Sequence, residues 1–290
     1  MSNNYYQWPQ PISIYPDREN KSYRLKRFRF QLRTLIHYHS IKKFTRFVNQ
    51  HSWLVELLNP RADWSYPVAH RFLDKRFSTQ QRFDTICDNL TFLPQKFTSL
   101  GLKPLWEQSI NFGEVIPDFE LILTLNNHQP MEGYWALELL HKPSDELMYL
   151  LTFGKVDNAL LIAVIQGANC KGSKEFVKLL TKKCHGLRPA YLMIEAMKAL
   201  TIHLGYSQLL GIPQKYQNKS RFFRNKRYVV NYDVIFQESG GKLQKYWQLP
   251  LQIEMKKLED IPSNKRSMYR KRYAMLNDLS EAIGKGLKVI

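Results

Sequence analysis

Cysteine is scarce in this 290-residue sequence: Cys87, Cys170 and Cys184 are the only three, and no two form a C-x-x-C pair. An odd count without that spacing supports neither a disulfide framework nor a cysteine-ligated zinc site, and it fits a reducing, cytosolic compartment. Long apolar runs are missing too. No stretch approaches the roughly 18 apolar residues of a membrane-spanning helix, and the N-terminal text MSNNYYQWPQPISIYP has no apolar core of signal-peptide length. No histidine pair at i, i+4 has a third ligand nearby, and His37 and His39 cannot share a helix face. G-x-S-x-G and the P-loop are absent, so metal-centre and serine-hydrolase readings are disfavoured. Acidic residues also run short: 25 Asp and Glu face 43 Lys and Arg, a formal net charge of +18. That excess favours an anionic partner, whether nucleic acid, the inner membrane surface, a phosphate-bearing cofactor or an acidic protein.

What is present reads as a folded chain, since 44% hydrophobic and 13% aromatic residues exceed what a disordered chain carries. Residues 1–20, with three prolines and many amides, read as an extended arm. Residues 21–112 read as a helical region. Leu25, Phe28, Leu32, Leu35, Ile36 and His39 share one face of its first helix, which basic residues otherwise cover. A second helix is expected from a Ser40 cap to residue 58, and a third after Tyr66-Pro67. A fourth starts at Ser78, where Gln81 gives a capping-box spacing, and ends at Pro94. The period then shortens. Segments 119–125, 134–141, 147–155 and 159–167 are aliphatic and aromatic, with turn text between them, and predict an antiparallel meander.

The stretch 160–211 organises the rest. A buried strand at 160–165 is followed by a helix near 173–183, and then by the HGLRP turn at 185–189. Pro189 suits a first helical position and Gly205 the residue past the end, while Leu192, Ala196, Leu200 and Leu204 recur every fourth residue beside Met193 and Met197. Strand, helix and a second strand at 209–212 make a crossover unit, the part of such folds where ligands bind. A further strand is expected near 228–236 and a basic helix over 263–283. The expected domains are the arm 1–20, the helical region 21–112, an α/β core 113–250, and a basic C-terminal helix and tail 251–290.

CHGLRPAYLMIEAMKALTIHLGYSQLLGI, with IQGAN before it and RFFRNKRYVVNYDVIFQESGG and NKRSMYRKRYAMLNDL after it, resembles the VirK/YbjX family of bacteria across residues 20–285. The resemblance implies a cytosolic protein of Gram-negative bacteria, linked to virulence, surface-protein display and resistance to cationic peptides, with no settled biochemical activity. The element order is also similar to the acyltransferase fold of the GNAT superfamily, an α+β or α/β architecture with a mixed, mostly antiparallel sheet and flanking helices. In that superfamily backbone N–H groups at the central helix hold the pyrophosphate of coenzyme A. An asparagine followed by an aromatic-basic stretch, resembled here by Asn218 and residues 219–223, often comes after the next strand. The [Arg/Gln]-x-x-Gly-x-[Gly/Ala] loop of the superfamily is absent.

These features yield two expectations. The first is an acyltransferase-like enzyme acting on an envelope or secreted-protein precursor, with acyl-CoA or acyl carrier protein as donor. His185 or Glu138 would be its general base, and Arg188, Asn218, Lys219 and Arg221 would hold the donor phosphates, with the dipole of the helix after Pro189 adding to them. The second is an adaptor binding RNA or the anionic inner-membrane surface through three basic clusters: the first helix, residues 215–227 and residues 265–272. Each cluster can equally be a solvated helix face.

Overall fold

The computed structural model describes residues 5–17, 22–167, 173–218, 231–253 and 255–289. In chain order the helices are α1 (Pro11–Ile14), α2 (Arg24–Ile36), α3 (Tyr38–Asn49), α4 (Ser52–Leu58) and α5 (Thr79–Ser99), then α6 (Ser173–Lys183), α7 (Pro189–His203), α8 (Tyr232–Glu238) and α9 (Ser263–Gly286). The strands are β1 (Ile110–Ile116), β2 (Phe119–Leu125), β3 (Trp135–His141), β4 (Glu146–Val156), β5 (Ala159–Gly167), β6 (Leu209–Gly211), β7 (Lys242–Leu243) and β8 (Trp247–Leu249). Among the described residues they form one sheet in the order β1-β2-β3-β4-β5-β6-β8-β7, antiparallel throughout except for the parallel pair β5–β6. This is a mixed α+β architecture with flanking helices.

The short apolar segments β2 through β5 form the meander expected from the sequence, β2 alternating and β5 buried along most of its length, and β1 adds a strand across the boundary expected at residue 112. Two backbone details shape the middle of the sheet. Between Thr152 and Phe153 the register slips, because their partners are Val164 and Ile162, so Ala163 is an extra residue on β5. In addition, β5 and β6 pair only at Leu160–Leu209, Leu161–Leu210 and Ile162–Gly211. β6 ends there, with the Ile212 N–H still bonded to the Ile162 carbonyl before Pro213. The carbonyl of Ala163 accepts from Gln217 Nε2 (3.2 Å), and that of Ile165 accepts from Tyr232 Oη (2.7 Å). Side chains thus satisfy strand acceptors that no neighbouring strand reaches, as buried carbonyls require.

Helix α7 carries the predicted stripe: Leu192, Met193, Ala196, Met197, Leu200 and Leu204 are all buried. Gly205, at φ 79°, closes its C-terminus. The Ser78–Gln81 capping box is present at the head of α5, but Pro94 does not end that helix, which runs on to Ser99. Asn89, fully buried on α5, acts as a short strand toward β4: it donates to the Lys155 carbonyl and accepts from the Lys155 N–H, both at 2.7 Å.

Several expectations are corrected. The segment read as a strand near 228–236 holds α8 from Tyr232 onward. Asn231 caps it by accepting from the Asp233 and Val234 N–H groups, and Tyr232, Ile235 and Phe236 bury one helical face. The helix expected over 40–58 is two helices, separated at Gln50 and His51. After Arg61 the chain makes a 3-10 turn, Ala62–Ala69, with Pro67 inside it. The arm is not free: Tyr6 is 2% exposed, and Trp8 stacks on Phe30. On α2 the single buried residue is Phe30, on the face opposite the predicted stripe, so the stripe points outward.

Asn89→Ala strips the Lys155 amide and carbonyl of their partners. The expected loss is about 2–3 kcal/mol of unfolding free energy, read from a urea titration; an unchanged midpoint would show that β4 needs no such tie.

Candidate functional site

The entrance to α7 is built by the end of α6. The Gly186 N–H bonds to the Thr181 carbonyl and the His185 N–H to that of Lys182, with His185 at φ 51° and Gly186 at φ 79°. This is the double bond pattern that closes a helix through a left-handed residue, with histidine where glycine is usual. Arg272 of α9 clamps the turn: its Nε (3.1 Å) and Nη2 (2.7 Å) both donate to the His185 carbonyl. Arg188 then sits at the N-cap of α7 in extended conformation, no side chain caps the helix, and Pro189 takes the first position.

A cleft of about 650 Å³ opens at this end of α7, between α6 and α8. Its rim carries Lys178, Lys182 and the exposed Arg188, while Tyr149, Tyr191 and Asn231 lie along its walls. The Tyr149 ring lies across Gly167 at the far end of β5. Through Tyr149 the cleft adjoins the Gly167 end of β5. One wall depends on Gly211: a Cβ there would lie 2.7 Å from the Phe236 ring, so α8 packs on the end of β6 only because that position has no side chain.

Tyr191, in the first turn of α7, donates its phenol to the Glu238 carboxylate. Burial, then the Glu238 bond and charge, push the phenol up to about 12, against the opposing Arg188. The phenol is thus a proton donor throughout the physiological range. The thiols of Cys87 and Cys184 are also pushed up to about 12 by burial, so neither is a thiolate nucleophile.

The sequence-predicted residues divide. Arg188 lines the cleft. His185 forms the adjoining turn, although its neighbours Gly186 and Arg188, not His185 itself, line the opening. Glu138 is not brought there. Leu139 faces Tyr149 across the strands and Glu138 faces Leu150, so Glu138 lies on the sheet face away from Tyr149. It pairs with His128 at 3.7 Å, and burial raises its carboxyl despite that imidazole. Asn218 is a tether instead: its side chain donates to the Met131 carbonyl (2.6 Å), and its own carbonyl accepts from Arg71 (3.0 Å). Lys219, Arg221 and most of the cluster at 215–227 lie outside the described residues, as do Asn169 and Cys170. Within the C-terminal cluster, Arg266 and Arg272 serve the fold by donating to the carbonyls of Ile261 and His185. Sequence reasoning missed Tyr149, Tyr191, Asn231 and Glu238. Tyr191 was within reach, three residues past Arg188 on a recognised helix.

A mostly antiparallel sheet with one parallel pair and flanking helices defines the class: an α+β protein with a cleft at the start of α7 rimmed by Lys178, Lys182 and Arg188. The chain belongs to a family of proteins of unknown function (DUF535), which matches residues 19–285. An uncharacterised protein of Haemophilus influenzae is 61% identical over 96% of this chain and 94% of its own length. A protein of Mannheimia haemolytica named Membrane protein LapB is 65% identical over 75% of this chain and 96% of its own. The uncharacterised protein YbjX of Escherichia coli is 28% identical over 47% of this chain and 42% of its own, which fits the VirK/YbjX resemblance. No solved structure matches.

The phenol of Tyr191 gives a pH signature. Its pKa is raised by folding, so the stability it supports is complete below pH 10 and declines as pH rises toward about 12, where the folded state ionises. Unfolding midpoints of wild type and Tyr191→Phe are expected to run parallel up to pH 10 and converge above it. A constant difference up to pH 12 would contradict the Glu238 bond.

Proposed function

We propose that this protein is an acyltransferase-like enzyme that moves an acyl group from acyl-CoA or acyl carrier protein to an envelope or secreted-protein precursor at the cytosolic side of the inner membrane. The observation that carries the reading is the cation-rimmed cleft at the N-terminus of α7, next to the end of β5 that runs past the three-residue β6. The element order supports it: a meander leads to a buried strand, helix α7, a parallel strand, helix α8 and a closing hairpin, similar to the acyltransferase order named above. The roles in surface-protein display, virulence and cationic-peptide resistance follow from the VirK/YbjX resemblance and are proposed with it.

In this reading the donor's phosphates rest on Arg188, Lys178, Lys182 and the positive end of α7, and its thioester lies in the cleft beside Tyr191 and Asn231. The acceptor's amine or hydroxyl attacks the thioester carbonyl and loses its proton to a base, for which His185 is the candidate at the cleft edge. The carbon–sulfur bond breaks, and the leaving thiolate takes the proton that His185 received, while Tyr191, its phenol donated to Glu238, lines the wall beside it. Glu138, on the far face, and Asn218, spent on Met131, take no part.

Isothermal titration of the folded protein with acyl-CoA and with acyl carrier protein tests the proposal. Binding of one donor is expected, weakened roughly ten- to a hundred-fold in Arg188→Ala by loss of a charge-assisted contact, with the melting temperature unchanged because the side chain is exposed. No binding of either donor overturns the reading.

The outward stripe of α2 supports a peripheral seat on the membrane. Leu25, Phe28, Leu32, Leu35 and Ile36 are 48–73% exposed, and the exposed Arg24 and Arg29 adjoin them. That is the composition of a helix lying in an anionic lipid interface, and it accords with the name of one relative, Membrane protein LapB. No described helix is long and apolar enough to cross a bilayer. The protein is expected to float with phosphatidylglycerol vesicles, and the double variant Leu35→Asp, Ile36→Asp to remain in the soluble fraction. Equal flotation of both would exclude α2 as the contact. The RNA alternative predicts instead binding that weakens with salt at a log–log slope near −0.7 per phosphate neutralised.

A further inference from the structure

Near the junction of α2 and α3, two arginines and two histidines gather. Arg82, on the first turn of α5, is only 7% exposed. Its Nε donates to the Val68 carbonyl (3.2 Å), and its Nη2 is buried with no hydrogen-bond partner. Arg33, in the last turn of α2, donates to the Tyr66 hydroxyl and lies over that ring. The His70 imidazole packs edge-on against the same ring, with centroids 5.2 Å apart. His37 joins α2 to α3, and no side chain caps the α3 N-terminus there.

The fields agree with the geometry. His70 is lowered to about 4, first by burial and then by Arg33, Arg71 and Arg82. His37 is lowered by burial, Arg82 and Arg33. Among the described residues, no carboxylate is a cause of either shift. Of the described acidic groups on neighbouring segments, Asp63 acts with Arg61, Asp74 with Arg76, Asp84 with Gln80 and Asp88 with Lys155, while Glu132, buried on the turn that packs against Ala62–Ala69, has an interaction of its own. A buried guanidinium with a free N–H pair is a costly arrangement unless an anion completes it, and planar guanidinium donors beside imidazoles match phosphate oxygens.

We propose that Arg33, His37, His70 and Arg82 form a binding site for a phosphate group, separate from the α7 cleft. None of the four lines that cleft, so failure of this site leaves the acyl-donor reading untouched, and the reverse holds as well. The source of the phosphate is either a soluble phosphate compound or the headgroup of a lipid. The second option is open because Leu35 and Ile36, 73% and 67% exposed, immediately precede His37.

The test follows the His37 and His70 ring signals by NMR in the full chain, together with the thermal midpoint. Inorganic phosphate, with chloride at matched ionic strength as control, is one arm. Phosphatidylglycerol against phosphatidylcholine vesicles is the other. Bound phosphate should stabilise the protonated rings, raise both titration midpoints and raise the thermal midpoint. A response to inorganic phosphate identifies a soluble-phosphate site; a response to phosphatidylglycerol vesicles alone identifies a headgroup site. Arg82→Met and Arg33→Gln should each weaken the response roughly ten- to a hundred-fold. Arg33 is half-buried, so its variant carries the test if Arg82→Met fails to fold. No response in either arm, or an undiminished response in the folded variants, overturns the proposal.

Discussion

The architecture turns on the short parallel pair of β5 and β6. β5 and β6 share three residue pairs before β6 ends at Gly211, and beyond them Gln217 and Tyr232 bond the carbonyls of Ala163 and Ile165. Without those two side chains, the buried carbonyls of Ala163 and Ile165 would favour closing the sheet or admitting water. With them, β5 runs on past the end of β6. Tyr232 belongs to α8, and α8 is held against the end of β6 by the contact of Phe236 with Gly211. α8 therefore joins the ends of β5 and β6 to the wall of the cleft.

The second constraint is the fixed turn ahead of α7. The His185 carbonyl carries two bonds from Arg272, which ties the C-terminal helix to the left-handed end of α6 and sets the start of α7. Arg272 therefore works within the fold, whereas Arg188, three residues past His185, projects its charge into the opening. Adjacent arginines in a basic protein thus have separate duties, and net charge alone could not sort them. The same holds across the molecule. Arg76 is bound to Asp74 and stacks on Tyr216, while Arg82 is enclosed with no anion.

Local signals in the sequence were enough for the meander, for α6, α7 and α9, and for the capping box at Ser78, because each combines a clear period with turn or cap chemistry. They failed where tertiary packing decided. The apolar stripe of α2 has the period of a core face, yet Phe30 on the other side, with Trp8 stacked on it, does the anchoring. The aromatic text around 232–236 suits a strand by composition, but the Asn231 cap and the spacing of Tyr232, Ile235 and Phe236 make a helix. That error hid Glu238, and with it the partner of Tyr191. Glu138 was chosen as a polar residue within an apolar strand, and only the register against β4 shows that it faces away from the cleft. Arg188 was legible because a proline at the first helical position marks the end of the helix from which an anion would be approached.

The central claim is that the cleft at the start of α7 receives an acyl donor. A crystal structure of the protein with a non-hydrolysable acyl-CoA analogue tests it most directly. The account predicts the acyl chain in that cleft, the donor phosphates within hydrogen-bonding distance of Arg188 and the α7 N-terminus, and the sulfur position beside the Tyr191 hydroxyl. An analogue bound elsewhere on the surface, or a cleft that stays empty at saturating analogue, would contradict it.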